Sequence, residues 1–220
     1  MAAEVMNQME WLELLFVIVV AYLLGSIPNG LLIGLSRGRD LREHGSGKTG
    51  ATNTLRVVGR RAAAMVFILD VAKGAIPVLI ARSLPWPNET WIGIAMGSAA
   101  AAAIIGHIWS IWIRLFTGKW GGGRGVATVF GAMLIVHPAA AVIGLLVGIG
   151  VIAVSRYVSL GSIVGVSAGI VVLLLFVALQ QIPLGFLPWG IACGLLVVAV
   201  HHDNIQRLLK GTERKIGSRI

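Results

Sequence analysis

The sequence predicts an all-α membrane protein: a bundle of seven transmembrane helices with the N-terminus outside and the C-terminus inside. Of the 220 residues, 57% are hydrophobic and only 12% are charged, whereas about a quarter of the residues of a soluble domain carry charge. Several apolar runs also reach the roughly 20 residues that a helix needs to cross a bilayer. We therefore expect residues 1–220 to form one membrane domain.

The apolar runs give the spans in chain order. Proline lacks a backbone N–H and disfavours helix at the residue before it, so the run 126–154 is expected to break at His137-Pro138. Its first part is short enough to be a half-helix buried among the others. Glycines spaced four apart predict close helix contacts at Gly144/Gly148 and Gly161/Gly165/Gly169. The predicted spans are 11–35, 62–81, 91–116, 126–137, 138–154, 160–179 and 184–200.

The distribution of Lys and Arg supports the break and sets the orientation, because cytoplasmic loops are enriched in both residues. With seven spans, sixteen of the 18 fall on one side, in the segments 37–61, 114–124, 155–159 and 201–220. With six spans, the basic tail would lie opposite the first basic loop. The net charge of +9 is then a consequence of membrane orientation, and no nucleic-acid partner is expected.

Other features narrow the class further. Glu4, Glu10 and Glu13 precede the first apolar run, where a cleavable signal would have a basic region. The single Cys193 excludes an internal disulfide framework and a Cys-rich metal site. We expect no metal and no cofactor.

The first polar segment, between the first two spans, has the composition of a phosphate site. It reads Gly45-Ser46-Gly47-Lys48-Thr49-Gly50-Ala51-Thr52-Asn53, and Arg56 follows. Glycine lets backbone N–H groups turn toward a ligand, and such a concave array of amides suits phosphate oxygens. The nucleotide motifs of soluble proteins fit poorly. No strand precedes the Gly-x-Gly-x-x-Gly pattern, and Arg42 stands where a P-loop requires glycine.

Three further polar segments share the predicted cytoplasmic face. One precedes an apolar helix, whose N-terminus offers free N–H groups to an anion, and the other two place polar side chains three residues apart on a helical face. Each segment also has a simpler interpretation when it is considered alone. The glycines before Arg124 would be a flexible loop, Ser159 would be a helix cap, and the segment from His201 to Asn204 would be a polar cap at the membrane interface. Because all four segments meet on one face, we predict one shared anion site. The candidate residues are Gly122, Gly123, Arg124 and Gly125; Ser159 and Ser162; and His201 and Asn204.

Charged and polar residues inside the spans are expected to support this site. Asp70 and Lys73 lie one helical turn apart, and intramembrane charges usually pair within the bundle. We predict an ion pair between them, and a packing role for His107.

The polar segments resemble the acyl-phosphate-dependent glycerol-3-phosphate acyltransferases of bacterial membranes. The resemblance covers nearly the whole chain in order and rests on GSGKTGATNTLR, GGGRGVAT, SRYVSLGS and HHDNIQRLLKGTE, with LLGSIPNG and LDVAKGAIP. It implies seven spans in the bacterial plasma (inner) membrane, an active site facing the cytoplasm, and transfer of a fatty acyl group from acyl phosphate to glycerol 3-phosphate. The functional positions that it implies are Ser46, Arg56, Ser159, Ser162, His201 and Asn204, with the backbones of Gly45, Gly47, Gly122, Gly123 and Gly125 shaping phosphate pockets.

The chain departs from the family pattern at three places. Lys48 stands where the family usually has Asn, and Arg124 where it usually has Lys. The segment 108–120 is longer than the family's and lacks its Phe-Pro. These differences bear on the preference for donor or acceptor.

An acyltransferase is the leading hypothesis. Phosphate would be neutralised by Lys48, Arg56 and Arg124 and would accept hydrogen bonds from Ser46, Ser159 and Ser162. Asn53, in the first polar segment, is also expected to bind substrate. His201 or a substrate phosphate is the base toward the acceptor hydroxyl. The expected partners are the two substrates and the bilayer. The alternatives are a transporter or channel for a phosphate-bearing solute and a non-catalytic lipid-binding protein.

Overall fold

All regular secondary structure in the part of the chain that the structure describes is helical. The computed structural model describes residues 7–217, so Glu4 and the last residues of the basic tail lie outside it. The predicted all-α class is confirmed. The helices within this range are α1 (Gln8–Gly25), α2 (Asn29–Leu35), α3 (Ala51–Val57), α4 (Arg60–Ser83), α5 (Glu89–Ile108), α6 (Ile111–Thr117), α7 (Val126–Val136), α8 (Pro138–Ser155), α9 (Val158–Ala178), α10 (Phe186–Val200) and α11 (His202–Leu209).

The candidate spans in residues 7–217 number five or six. Long apolar stretches able to cross a membrane are Gln8–Leu35, Arg60–Ser83, Glu89–Thr117, Pro138–Ser155 and Val158–Ala178. A sixth is α10 joined to α11, which bend by 55° relative to each other. Helix α7 has 11 residues, and a span needs about 20. The chain is therefore a helical membrane bundle in which the fourth predicted span, 126–137, is a half-length helix.

The predicted break at His137-Pro138 is present. Helix α7 ends at Val136, and Pro138 is the first residue of α8, where its missing N–H leaves no intrahelical bond unmade. The His137 side chain caps α8, because its Nδ1 accepts the Ala140 N–H at 3.1 Å. The chain therefore leaves one helix and enters the next without a loop.

Two other predicted spans contain breaks that the sequence analysis did not include. The span 11–35 is interrupted at 26–28, and the span 91–116 at Trp109 and Ser110. The two breaks lie against each other, since the Ser110 hydroxyl donates to the Ser26 carbonyl oxygen at 2.5 Å and accepts the Ile113 N–H at the start of α6. The polar groups freed by one break are therefore partly satisfied by the other.

Glycines join α8 and α9, as their spacing predicted. A Cβ at Gly165 would lie 2.6 Å from the Gly144 carbonyl oxygen, and one at Gly144 would lie 2.7 Å from the Gly165 carbonyl oxygen. Such approaches exclude any side chain, so the two backbones are in direct contact. The seam runs along one side of the cavity described below.

Helix α5 lies at the centre of the bundle, in contact with α1, α4 and α10. Its alanines Ala99, Ala100 and Ala103 are fully buried. Small side chains let three helices pack closely around it, and the polar segments are carried at one end of this core.

Candidate active site

A cavity of about 840 Å³ opens among the four polar segments. Helices α3, α4, α5, α7, α8, α9 and α11 contribute to its wall. The predicted site residues that line it are Gly45, Ser46, Lys48, Asn53, Arg56, Arg124, Gly125, Ser159, Ser162, His201 and Asn204. Gly47, Gly122 and Gly123 are near it but do not line it.

Asn53 organises the first loop from within. Its side chain is 2% exposed; the amide Nδ2 contacts the carbonyl oxygens of Leu41, His44 and Lys48 at 3.0, 3.0 and 2.8 Å, and Oδ1 accepts the Ser46 N–H at 3.0 Å. With its amide engaged by the loop backbone, Asn53 shapes the site rather than offering a free donor to a ligand. Its predicted contact with substrate stays a prediction, since Asn53 also lines the cavity.

Two glycines of this loop adopt conformations that other residues avoid. Gly45 and Gly47 have φ of +66° and +68°, in the left-handed region that favours glycine. A Cβ on Gly45 would also collide with the Asn53 amide oxygen. The loop therefore depends on glycine at position 45 for both its conformation and its packing.

The second glycine segment packs under the first. The Gly122 carbonyl oxygen accepts the Thr49 N–H at 3.3 Å, and the Gly123 N–H donates to the His107 carbonyl oxygen at 3.1 Å. A side chain on Gly122 would strike that same carbonyl. Gly122 and Gly123 therefore fix the position of Arg124 at the cavity wall. The role implied for their backbones in shaping a phosphate pocket stays a prediction.

Arg124 has unused hydrogen-bonding capacity in the wall of the cavity. Its Nε is buried and has no hydrogen-bond partner among residues 7–217. Burial lowers the pKa of this guanidinium, and the nearby Arg207 lowers it further. A buried donor without a partner is uncommon, and an anion in the cavity would supply one.

Arg56 faces the same cavity from α3, half-buried. Burial lowers its pKa first, and the positive charge of Arg214 adds to the effect. Such shifts leave an Arg protonated, so the cavity wall concentrates positive charge. The cations that line it are Lys48, Arg56, Arg124, Arg207 and Arg214.

Glu213 is the main site residue that the sequence analysis missed. Its Oε1 accepts hydrogen bonds from Ser159 Oγ at 2.8 Å and Asn204 Nδ2 at 2.7 Å, and its Oε2 accepts one from Arg207 Nε at 2.6 Å. Burial raises the pKa of this carboxyl, but the three hydrogen bonds outweigh burial and hold it below its ordinary value. Glu213 thereby joins the third and fourth polar segments.

The tail folds back locally to bring Glu213 into the site. Gly211 has a φ of +68° after the end of α11, and the N–H groups of Thr212 and Glu213 both donate to the Arg207 carbonyl oxygen. Farther on, Arg156 exchanges two hydrogen bonds with the backbone of Ile216. The sequence Gly211-Thr212-Glu213 after a short helix was the only available signal for this turn.

Ser159 and Asn204 hold Glu213 with buried side chains. Helix α9 begins at Val158 after Tyr157, so Ser159 is not the helix cap that its position suggested. Ser162 lines the cavity one turn farther along, on the same side. The Asn204 Oδ1 is buried without a hydrogen-bond partner in the described residues, which leaves one acceptor for a substrate hydroxyl.

His201 lies at the bend between α10 and α11 and is 1% exposed. Its Nδ1 is 2.8 Å from the Val197 carbonyl oxygen. Because a carbonyl only accepts, Nδ1 carries the proton and Nε2 is left as an acceptor. His201 thus has the tautomer that a general base requires.

A buried polar network supports the site from below. Asp70 pairs with Lys73 at 2.9 Å, as predicted, and accepts from Asn29 Nδ2 at 3.0 Å. His107 Nδ1 is 3.1 Å from Thr128 Oγ1 and 3.8 Å from Asp70 Oδ1. Asp70 and His107 also line the cavity, so this network is continuous with its wall.

The deep part of the cavity is apolar. Between α7, α8 and α9 its wall is formed by aliphatic and aromatic side chains and by the glycine seam. The arrangement offers an anion-binding rim joined to a hydrophobic channel, which suits a molecule with a charged head and an apolar chain.

Comparisons with known proteins agree with this geometry. A family model described as glycerol-3-phosphate acyltransferase matches residues 15–211. A glycerol-3-phosphate acyltransferase 3 of Dehalococcoides mccartyi is 40% identical over 94% of this chain and 97% of its own length. A glycerol-3-phosphate acyltransferase of Thermus thermophilus is 39% identical over 92% and 95%.

Two solved structures share the fold. Both are of PlsY, an integral membrane glycerol 3-phosphate acyltransferase. Its glycerol 3-phosphate form is 37% identical, with a TM-score of 0.80 over 93% of this chain and 96% of that one. Its lysophosphatidic acid form is 36% identical, with a TM-score of 0.78 over 93% and 95%.

Proposed function

Because the chain belongs to the glycerol-3-phosphate acyltransferase family, we propose that it transfers a fatty acyl group from acyl phosphate to the 1-hydroxyl of glycerol 3-phosphate. The products are lysophosphatidic acid and inorganic phosphate. This reaction is the first step of membrane phospholipid synthesis. The observation that carries the proposal is that a cationic rim and an apolar channel meet in one cavity. The transporter and lipid-binding alternatives are set aside, because the matched relatives are acyltransferases.

The reaction needs little covalent chemistry from the protein, because acyl phosphate is already activated. The acceptor hydroxyl oxygen attacks the acyl carbonyl carbon and forms the new ester bond. The bond from that carbon to the phosphate oxygen breaks, and phosphate leaves with its electron pair. The protein's contribution is to hold both phosphate groups and to stabilise the charge that develops on the carbonyl oxygen.

The cations at the rim are matched to two phosphate-bearing substrates. Arg56 and Arg124 present planar forks of donors, which suit phosphate oxygens, and the free Nε of Arg124 supports its assignment. Lys48 and Ser46 lie at the first loop beside Arg56. We assign the donor or acceptor phosphate to this group. At the other end of the rim, Ser162 can donate a hydrogen bond to substrate, whereas Ser159 donates its one hydroxyl hydrogen to Glu213.

The proton of the acceptor hydroxyl has two possible destinations. His201 Nε2 is available as an acceptor, and a phosphate oxygen of either substrate is the other candidate. Asn204, three residues away on the same face, uses its free Oδ1 to orient the hydroxyl.

The orientation that we propose has seven crossings, with α7 and α8 as a pair, in the bacterial plasma membrane. Sixteen of the 18 Lys and Arg would then face the cytoplasm. The break at His137 supports this count, since it divides α7 from α8. The active site would open to the cytoplasm, where soluble glycerol 3-phosphate reaches it.

Purified protein tests the proposal. With palmitoyl phosphate and glycerol 3-phosphate, we expect lysophosphatidic acid and inorganic phosphate in equal amounts. Palmitoyl-CoA in place of the acyl phosphate should give no product. Equal rates from both donors would contradict the donor assignment, and no product from either would contradict the function.

A further inference from the structure

The apolar half of the cavity is a channel whose wall runs along three helices. It extends from Val126 to Met133 on α7, from Ile152 to Ala141 on α8 and from Val158 to Val166 on α9. Helices α7 and α9 begin, and α8 ends, beside the polar rim. Met133, Ala141 and Val166 are therefore the lining residues farthest from the rim.

The depth of this channel is comparable to one leaflet of a bilayer. Ala141 and Ile152 are eleven residues apart on α8, which amounts to about 16 Å at a helical rise of about 1.5 Å per residue. The hydrocarbon core of a bilayer is about 30 Å thick, or roughly 15 Å per leaflet. Because a fatty acyl chain of a membrane lipid spans about one leaflet, an extended acyl chain lying along α8 reaches the end of the channel at Ala141.

Met133 closes that end. Its side chain is 3% exposed and crosses from α7 to α9, since a Cβ on Gly169 would lie 2.9 Å from the Met133 sulfur. The same Cβ would lie 3.0 Å from the Ala140 carbonyl oxygen. Helices α8 and α9 are thus in backbone contact next to the sulfur, so the space does not continue past it.

We propose that Met133 determines the length of the acyl chain that the enzyme prefers, with its thioether as the floor of the acyl channel. This inference rests on the proposed acyl transfer and adds to it a residue that sets donor specificity. A chain that ends at the sulfur fills the channel, whereas a longer one must bend or displace the Met133 side chain. In a hydrophobic pocket, one methylene group more or less changes kcat/KM by roughly 10–200-fold.

Two substitutions move the floor in opposite directions. Met133→Ala deepens the channel, and Met133→Phe makes it shallower. Each purified variant is given glycerol 3-phosphate and an equimolar mixture of saturated acyl phosphates with ten to eighteen carbons. The amount of lysophosphatidic acid of each chain length is then quantified by mass spectrometry. We expect the preferred length to rise by two or more carbons in Met133→Ala and to fall in Met133→Phe, with product ratios changed by roughly tenfold or more.

A matched control removes the same side chain elsewhere. Met96 is 4% exposed in the core of α5 and does not line the cavity, so Met96→Ala also loosens packing but should keep the wild-type length profile. An unchanged profile in active Met133→Ala overturns the proposal, because the acyl chain then leaves the channel before its floor. If Met133→Phe fails to fold, the chain-length profile of Met133→Ala alone tests the proposal. Failure of the proposed function looks different: wild type then uses no acyl phosphate at all.

Discussion

At the scale of single residues, the Glu213 carboxylate binds three side chains that come from two polar segments. Ser159, Asn204 and Arg207 all donate to it, and its side chain is 6% exposed. These bonds favour the ionised carboxylate and lower its pKa below the ordinary value of 4.5. Its stabilising effect is therefore present above pH 4.5 and is lost as the pH falls through the lowered pKa.

Glu213→Gln should consequently lower thermal stability in a pH-dependent way. Hydrogen bonds to a charged group contribute about 1.5–3 kcal/mol each, so we expect a clear drop in Tm at neutral pH. The difference from wild type should shrink as the pH is lowered below 4.5. Thermal unfolding of the detergent-solubilised protein across this range is the measurement, with the exposed Glu43→Gln as the control that changes nothing. A pH-independent difference would contradict this explanation, because the effect of removing an ionised carboxylate must change as that carboxylate becomes protonated.

Arginine geometry is tested by substitutions that keep the charge. Lysine preserves orientation in the membrane but lacks the planar fork that binds phosphate with two hydrogen bonds. We expect Arg56→Lys to reduce kcat/KM by roughly tenfold or more, one lost contact of about 1.4 kcal/mol or greater. Arg124→Lys should be milder, because Lys is usual at that position in the resembled family. Kinetics with each substrate varied in turn measures both. A larger effect at Arg124 than at Arg56 would mean that the longer segment 108–120 has reshaped this part of the site.

At the scale of elements, the contact of α8 with α9 has no room for a side chain. A Cβ at Gly165 would lie 2.6 Å from the Gly144 carbonyl oxygen, whereas one at Gly150, on the exposed face of α8, would meet nothing within 4 Å. We expect Gly165→Ala to destabilise the protein by about 1–3 kcal/mol through overpacking. Gly150→Ala should be neutral or slightly stabilising, because alanine is the better helix former. Equal Tm values for the two variants would contradict the close seam.

The elements were predictable where a local rule governs them. Hydropathy located the long helices, and Pro138 marked the break after α7, because proline acts on its own neighbours. The break at 26–28 contains Pro28, the same kind of local signal as Pro138, which the predicted span 11–35 did not take into account. The break at Ser110 has no proline beside it, and the partner of the Ser110 hydroxyl, the Ser26 carbonyl oxygen, lies 84 residues away. No local pattern contains that partner.

The site, too, was predictable only where the composition of a local segment indicates it. The composition of the glycine-rich and basic segments predicted an anion site. The assignment of Asn53 to loop structure and the entry of Glu213 depend on which groups meet after the chain folds. A Glu in a basic tail resembles an ordinary solvated charge until Gly211 turns it back toward Ser159.

At the scale of the whole molecule, the proposed orientation puts all four polar segments at the cytoplasmic face. Single cysteines at Arg60, Thr117 and Thr212, in a background with Cys193 replaced, should resist an impermeant thiol reagent in intact cells. They should react after the membrane is permeabilised, which is the control for accessibility. Strong labelling in intact cells at these positions would invert the topology and remove the argument for cytoplasmic substrate entry.

In the proposed acyl transfer, the bond between the acyl carbon and the bridging phosphate oxygen breaks. Acyl phosphate carrying heavy oxygen in the bridging position tests it directly, with both products analysed by mass spectrometry after turnover with glycerol 3-phosphate. We predict that all of the label appears in inorganic phosphate and none in lysophosphatidic acid. Label retained in a fatty acid or in the lipid ester would mean that the phosphorus–oxygen bond breaks instead, and would contradict acyl transfer from acyl phosphate.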